Sequence, residues 1–292
     1  MPLAAPASAI LVAIAINVLW GANPVAIKFS LLAFPPLWSA FLRFAVGAVC
    51  VCAWARYVGL RIWPERSEWR PLMLISAIFT VQLAMMNIGF AHTSASMGAV
   101  LIAVNPIFAA VFTHFMISGD SLTRWRCLGL SVAMMGTGVC LLADADFDAL
   151  DFGAIGNWIV LSSACLLGLR LTIIASVVRK VHETRVVVWQ MLLSLPAFAA
   201  GGLLFETIKW QNIGWEPIAG ILYQGVVIAG LSFTVLYSLM RRYSPSVIVS
   251  FNFVSPVAGV LLAVWLLDEQ VTGFLVAGMM LVALGLALIS RK

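Results

Sequence analysis

Residues 7–29 read ASAILVAIAINVLWGANPVAIKF, a run of 23 residues in which Lys28 is the one charged side chain. A bilayer core about 30 Å thick requires roughly 20 such residues in an α-helix. Strands of a membrane barrel are shorter and alternate in polarity, so this run predicts a transmembrane helix. The residues before it contain no Lys or Arg, and we therefore expect a retained membrane span and not a signal peptide.

Nine further apolar runs of similar length follow along the chain. The ten runs comprise residues 7–29, 36–56, 71–91, 94–117, 124–143, 153–177, 185–205, 216–240, 246–267 and 271–290. Pro36, Pro71, Pro217 and Pro245 stand in or just before first turns, where the missing N–H of proline costs no hydrogen bond. The sequence predicts an all-α membrane protein with ten transmembrane helices.

The composition agrees with a chain that meets lipid over most of its surface. Of the 292 residues, 63% are hydrophobic and only 10% are charged, with a mean hydropathy of +1.05. A soluble domain is nearer a quarter charged. These values exclude a soluble enzyme, and the net charge of +5 does not indicate a nucleic-acid partner because the basic residues are spread over short loops.

The distribution of basic residues predicts the orientation of the chain. With a cytoplasmic N-terminus, the inner loops hold thirteen of the 17 Lys and Arg residues, and the outer loops hold only Lys28 and Lys209. The acidic residues Asp144, Asp146, Asp148 and Asp151 then fall outside. This asymmetry is what the positive-inside rule predicts. We expect both termini to be cytoplasmic, in the inner membrane of a bacterium.

The second half of the chain repeats features of the first. Ser94, Ser96 and Pro106 recur 150 residues later as Ser244, Ser246 and Pro256, and the Gly129–Gly136 spacing recurs as Gly278–Gly285. The two halves comprise residues 1–145 and 150–292. Because five spans is an odd number, the second half enters the membrane inverted, which is a transporter signature. We assign the glycine pairs to close helix packing.

Several motifs make the chain similar to a known family. The stretch WGANPVAIK at residues 20–28, the PPL at 35–37, the LRF at 42–44 and the HTSAS at 92–96 with Asn105-Pro106 resemble the EamA family of drug/metabolite transporters. Within it, the chain looks most like the YddG-type amino-acid exporters. The resemblance implies helices arranged around a central cavity, with the fifth span of each half at the periphery.

The positions of the acidic residues bear on the transported solute. All twelve Asp and Glu residues lie in loops or at the ends of predicted spans. Proton relays and cation-binding sites in membranes commonly use buried carboxylates. We therefore predict facilitated export of a neutral or zwitterionic solute, by alternating access without ATP. A proton-coupled multidrug or quaternary-ammonium exporter is the alternative, and a channel or a lipid-handling protein is the candidate from another class.

Polar and aromatic residues within the spans are the candidate solute contacts. They are Trp20, Asn23, Arg43, Gln82, Asn105, Trp158, Gln190, Tyr223, Tyr237 and Asn252. Amides beside aromatic rings suit an amino acid with an apolar or aromatic side chain. Arg43 either attracts the solute carboxylate, bonds backbone carbonyls freed by a proline, or snorkels outward. Lys28 and Arg170 are expected to snorkel to headgroups as anchors.

Four prolines within the spans are the candidate hinges. Pro24, Pro106, Pro196 and Pro256 each remove a backbone hydrogen bond and free a carbonyl. In a membrane such groups persist where protein or a water-filled cavity satisfies them. We expect Pro106 and Pro256 to frame the cavity from opposite sides. No cofactor, metal or catalytic motif is expected, and we predict a monomer or weak homodimer whose partners are a small solute and the bilayer.

Overall fold

The secondary structure of the chain is helical in the part that the structure describes. A computed structural model describes residues 7–116, 123–142, 155–243, 252 and 254–289. Eight helical stretches in these ranges are long and apolar enough to cross a membrane, and two shorter apolar helices follow near the C-terminus. The chain is therefore a multi-span membrane protein, as its composition predicts.

The helices follow the predicted apolar runs closely. They are α1 (Ala7–Leu31), α2 (Pro36–Tyr57), α3 (Trp69–Ala91), α4 (Ala95–Ile102), α5 (Asn105–Met116), α6 (Arg124–Leu142), α7 (Ile155–Val177), α8 (Glu183–Phe205), α9 (Trp215–Leu222), α10 (Phe233–Arg242), α11 (Val254–Leu267) and α12 (Gly273–Ile289). A π-helical stretch, Tyr223–Ser232, joins α9 to α10 and is called the π segment below. The beginning of the predicted span 246–267 lies outside the described residues.

The predicted span 94–117 is divided into two helices. Helix α4 ends at Ile102, and α5 begins at Asn105, whose side chain donates to the carbonyl of Ile102 at 2.9 Å. Pro106 therefore lies in the first turn of a new helix and not inside a continuous one, which corrects the expected loss of a backbone hydrogen bond at this proline. Its missing N–H leaves no intrahelical bond unmade there.

The other three prolines differ in their positions within helices. Pro256 is the third residue of α11, so it also stands in a first turn and not at a bend inside a helix. Pro24 and Pro196 lie inside α1 and α8, as expected for prolines that free a backbone carbonyl. Whether any of the four acts as a hinge stays a prediction.

The π segment was not predicted from the sequence. Gly225 lies within it, where an added Cβ would come within 2.9 Å of the carbonyl oxygen of Arg43. Helix α2 thus approaches the π segment at backbone distance. Such wide turns occur mostly as short insertions and are frequent at functional sites. Gln224, near its start, accepts a hydrogen bond from Arg43, and Phe233, directly after its last residue, lines the interior of the bundle.

The helices pack in a regular pattern. Helix α1 packs against α9, the π segment and α11, whereas α7 packs against α3, α4 and α5. Helix α2 contacts the π segment, and α3 contacts α8. Three further pairs cross directly: α2 with α8, α4 with α11, and α6 with α12. The last pair makes few contacts with other helices in the described part of the chain and lies at the edge of the bundle, as the resemblance implies.

Glycines bring α6 and α12 together. An added Cβ at Gly136 would come within 2.7 Å of the carbonyl oxygen of Gly278, and one at Gly285 would come within 2.6 Å of the backbone nitrogen of Ala133. Without a hydrophobic driving force between helices in lipid, such close backbone approach is a main source of attraction. The assignment of these glycines to packing is therefore confirmed.

Replacing Gly136 by valine should separate this pair. The new side chain would meet backbone atoms of both Gly278 and Val282 at 2.7 Å. Overpacking of this kind costs about 1–3 kcal/mol, so we expect the melting temperature in detergent to fall by several degrees. Gly138→Val is the matched control, because nothing lies within 4 Å of a Cβ at that position. Equal losses in the two variants would contradict a packing role for Gly136.

Candidate functional site

A cavity lies between the helices that cross near the middle of the bundle. The volume within which the centre of a water molecule fits is about 70 Å³. This is room for several waters or a small solute. Its walls come from α1, α2, α3, α4, α5, α7, the π segment, α10 and α11. The lining residues are Trp20, Asn23, Pro24, Arg43, Gln82, Leu83, Met86, Phe90, Ile102, Asn105, Leu167, Arg170, Ile228, Phe233 and Ser255.

Arg43 is held in the cavity wall by an amide from the other half of the chain. Its side chain is 1% exposed and donates from Nη1 to Oε1 of Gln224 at 3.0 Å. The Nε2 of Gln224 donates to the carbonyl of Ala26 at 3.0 Å, which turns the amide oxygen toward the guanidinium. The guanidinium carbon also lies 4.6 Å from the ring centroid of Phe44. Arg43 therefore does not snorkel to the surface.

Arg170 lies in the same cavity, which corrects the prediction that it is an anchor. Its side chain is 2% exposed. The guanidinium carbon lies 4.7 Å from the ring centroid of Phe79 and 5.8 Å from that of Phe233. Aromatic faces attract cations but do not accept their N–H groups in the way an oxygen does. The charge thus lies beside two aromatic rings in the lining of the cavity.

The approach of α5 to α7 explains the depth of Arg170. A Cβ at Gly168 would come within 2.8 Å of the carbonyl oxygen of Asn105 and within 2.7 Å of the nitrogen of Ala109. The two backbones are in contact two residues before Arg170. Asn105 and Arg170 are consequently brought to the same wall of the cavity.

Several polar atoms of the lining residues are buried and lack a hydrogen-bond partner among the described residues. The donors are Trp20 Nε1, Arg43 Nε, and Arg170 Nε and Nη1; the acceptors are Asn23 Oδ1, Gln82 Oε1 and Asn105 Oδ1. Buried polar groups nearly always have a partner, so atoms of this kind indicate a bound water or ligand. Guanidinium and indole donors and amide acceptors without a partner therefore belong to residues that line one small cavity.

Five of the ten candidate contact residues line this cavity. They are Trp20, Asn23, Arg43, Gln82 and Asn105, and Pro24 lies beside them. The indole ring of Trp20 packs edge-on against Phe233 with centroids 5.9 Å apart. Gln82 donates from Nε2 to Ser163 Oγ at 3.0 Å, which leaves its Oε1 toward the cavity. That these residues contact a solute stays a prediction.

The other five candidates lie outside the cavity lining. Tyr237 is fully buried and donates to Gln190 Oε1 at 3.2 Å, and Tyr223 donates to the carbonyl of Leu19 at 2.8 Å. Trp158 is 45% exposed. Asn252 accepts at its backbone carbonyl from the nitrogen of Ser255 at 3.2 Å. The geometry gives no support to solute contact by these five residues.

Among the described residues, no Asp or Glu lines the cavity. Glu68 and Glu183 are mostly buried, but they lie at helix ends and pair with Arg185 and Arg241 at 2.7 and 2.5 Å. The acidic residues Asp120, Asp144, Asp146, Asp148 and Asp151 lie outside the described residues, so the predicted outer position of the stretch 144–151 is not tested. The two cavity arginines therefore have no carboxylate partner in the described lining.

Two further carboxylates join helices that are distant in sequence. Glu206, after α8, accepts from the backbone nitrogens of Leu37 and Trp38 at 2.9–3.0 Å. Glu269, after α11, accepts from the nitrogens of Ala95 and Ser96 at 2.7 and 2.9 Å and from Ser96 Oγ at 2.6 Å. Each carboxylate thus satisfies free N–H groups at the N-terminus of α2 or α4. We call these two groups of contacts the carboxylate clasps.

Comparison with known proteins gives similarities along the whole chain. The sequence model of the EamA-like transporter family matches residues 7–142 and again 154–291. The uncharacterized transporter YvbV of Bacillus subtilis is 24% identical over 94% of this chain and 89% of its own length. The probable amino-acid metabolite efflux pump of Salmonella typhimurium is also 24% identical, over 94% and 92% of the two chains.

A solved structure is similar as well. One crystal structure matches 97% of this chain and 96% of its own chain with a TM-score of 0.71. At 19% identity this likeness concerns the fold alone. The arrangement of helices around the cavity is therefore one that an experimental structure shares.

Proposed function

Since this chain belongs to the EamA-like transporter family, we propose that it is a secondary transporter that exports amino acids by alternating access without ATP. The observation that carries the proposal is the cavity between the helices, whose lining residues carry both guanidinium donors and unpartnered amide oxygens. These groups match the carboxylate and the ammonium of an amino acid. A relative named a probable amino-acid metabolite efflux pump adds support.

The proposal includes ten spans in two inverted halves, residues 1–145 and 150–292. The family model matches twice along the chain, in agreement with a duplication. The packing pattern supports a correspondence between the two halves. Helix α1 of the first half packs against α9–α10 and α11 of the second, and α7 of the second half packs in the same way against α3 and α4–α5 of the first. Likewise, the contact of α2 with the π segment corresponds to that of α8 with α3. A pseudo-two-fold axis in the membrane plane relates such repeats.

We further propose that the protein lies in a bacterial inner membrane with both termini in the cytoplasm. The excess of Lys and Arg in alternate loops supports this orientation. A relative from Escherichia coli is named an inner membrane transporter. Under this orientation the carboxylate clasps lie on the outer side, and the Glu68–Arg185 pair lies on the inner side. We propose a monomer or weak homodimer.

The carboxylate clasps are the proposed outer gate. Both connect the two proposed halves, because Glu206 and Glu269 belong to the second half and the N-termini of α2 and α4 belong to the first. Alternating access requires such cross-half contacts to break on one side while they form on the other. Charge-assisted bonds to helix N-termini are strong but accessible to water near the membrane surface, which suits a contact that opens.

Replacing Glu269 by glutamine should open the outer side more often. The variant loses the negative charge that faces the N-terminus of α4, an interaction worth about 0.3–1 kcal/mol and up to about 2 kcal/mol when partly buried. Measured with a membrane-impermeant maleimide added outside, labelling of a cysteine placed by Ser255→Cys should rise severalfold. Glu216→Gln is the control, since this half-buried residue forms no hydrogen bond or ion pair between the halves among the described residues. Unchanged labelling would contradict the gate.

Facilitated diffusion is the proposed energetic mode. The described lining has no carboxylate that could carry a proton across the cavity. Uptake into proteoliposomes should be saturable, and it should be accelerated by the same amino acid on the opposite side of the membrane. A channel would show no such acceleration, which would overturn the proposal. Stoichiometric proton movement with the amino acid would overturn facilitated diffusion and favour the proton-coupled alternative.

A further inference from the structure

The cavity contains two guanidinium groups where the sequence suggested one. Arg43 and Arg170 are both at least 98% buried, and both line the same space. Arg43 has one amide partner, through Nη1, and its Nε has none among the described residues. Arg170 has neither a partner for Nε nor one for Nη1 in the same part of the chain. The lining thus offers more cationic N–H groups than the protein itself satisfies.

An uncompensated pair of buried cations is costly in a membrane protein. Removing a charge from water is tolerated when an opposite charge and good hydrogen bonds replace the lost hydration. The rings of Phe79 and Phe233 hold Arg170 in position but accept none of its hydrogen bonds at an oxygen. Anionic oxygens from outside the protein are the groups that would complete both sites. Guanidinium groups bind carboxylates with two parallel hydrogen bonds.

The lining of the same cavity also carries acceptors without charge. Asn23 Oδ1, Gln82 Oε1 and Asn105 Oδ1 are all buried without a partner among the described residues. The amide nitrogens of Gln82 and Asn105 already donate to Ser163 Oγ and to the carbonyl of Ile102, so these side chains are oriented with their oxygens available. An ammonium group has three N–H donors and no acceptor. Three amide oxygens therefore suit one ammonium.

From these groups we infer that the preferred solute is an acidic amino acid, with one carboxylate on Arg43, the second on Arg170, and the ammonium on the amide oxygens of Asn23, Gln82 and Asn105. This inference rests on the proposed function and names its substrate class. It differs from the expectation of apolar or aromatic side chains, which rested on amides beside aromatic rings and did not include Arg170 among the solute contacts. A neutral amino acid leaves one guanidinium unpaired, and a simple dicarboxylate leaves the amide oxygens unpaired.

The net charge of such a solute gives the transport a direction. An acidic amino acid carries one net negative charge, so its export is favoured by a membrane potential that is negative inside. A neutral amino acid crosses the membrane without net charge, and its transport does not respond to the potential. Dependence on the potential therefore separates the two classes of solute in the same preparation.

The first test uses the unchanged protein in proteoliposomes. Glutamate should be transported with an efficiency about 10- to 100-fold above that of glutamine, which has the same shape without the second charge, and above that of glutarate, which lacks the ammonium. A potassium diffusion potential should change the rate for glutamate. Equal or better transport of glutamine or leucine would overturn the acidic class while leaving the transporter function standing. No transport of any amino acid would overturn the proposed function itself.

The second test assigns the second carboxylate to Arg170. Arg170→Gln should reduce the glutamate-to-glutamine preference about tenfold or more while glutamine transport persists, and Arg170→Lys should restore part of the preference. Arg242→Gln, which removes an exposed arginine outside the cavity, should leave the preference unchanged. An unchanged preference in Arg170→Gln would overturn the assignment. If that variant does not fold, the preference of Arg170→Lys and of the unchanged protein decides the matter.

Discussion

Replacing Arg43 by glutamine is expected to lower the transport of amino acids about 10- to 100-fold. The guanidinium is buried, its Nε lacks a partner among the described residues, and no described carboxylate in the lining competes for it. A hydrogen bond to a charged group contributes about 1.5–3 kcal/mol, which corresponds to this factor. Efflux from proteoliposomes, measured as the ratio of maximal rate to half-saturating concentration, would give the change.

The decarboxylated analogue of the same amino acid separates binding from structure. An amine without the α-carboxylate makes no pair with Arg43, so its transport should change less than about threefold in the variant. Gln224→Leu removes the amide that orients Arg43 but keeps the charge. That variant should lie between the unchanged protein and Arg43→Gln. Equal loss for the amino acid and its amine analogue would make Arg43 a structural residue.

The sequence predicted the helices well because lipid imposes a strong constraint on composition. Each apolar run had to be long enough to cross the bilayer and had to satisfy its own backbone bonds, and these two requirements are visible without tertiary contacts. The division of residues 94–117 into α4 and α5 was not visible in this way. Asn105 and Pro106 allow either a kink or a new first turn, and the close contact of α5 with Gly168 of α7 is a tertiary feature.

Arg170 was misassigned because a basic residue in an apolar run can either snorkel to the lipid headgroups or line an internal cavity. Seven residues separate Arg170 from the end of α7 at Val177, which is about 10 Å along a helix. That distance is long for a side chain that must reach the headgroups. Together with Gly168, which marks close helix packing two residues earlier, the depth was the available signal. Phe79 and Phe233, which hold the guanidinium, come from α3 and α10 and could not be paired with it from sequence.

Two of the aromatic candidates lie outside the cavity lining for a related reason. Tyr223 and Tyr237 are polar and lie in spans, as solute contacts often do, but each hydroxyl is satisfied by the protein. The π segment sets the helical phase of this region, and its wide turns change which side chains face inward. A regular 3.6-residue period therefore does not give the inward face of residues 223–233. Phe233 and Ile228, which were not candidates, line the cavity instead.

Placing a carboxylate in the cavity adds a negative charge, whereas Arg43→Gln removes a positive one. Both changes should reduce the export of amino acids. Asn23→Asp is nearly isosteric, and the Oδ1 of Asn23 has no partner among the described residues. The new charge would pair with a guanidinium of the same cavity, and that guanidinium would then be less available to a solute carboxylate. Transport of acidic amino acids should fall at least about tenfold, because an internal carboxylate competes at an effective concentration far above that of the solute.

The same variant distinguishes the amino-acid exporter from the exporter of quaternary ammonium compounds. A cationic solute needs a negative counter-charge, so Asn23→Asp should create or increase its binding while amino-acid transport falls. Asn23→Leu removes the amide without adding charge and should weaken glutamate only by the loss of one ammonium contact, about fivefold to tenfold. If the aspartate and leucine variants lose glutamate transport equally, the charge of residue 23 does not matter. The absence of a carboxylate among the described lining residues would then have no bearing on which solutes the cavity accepts.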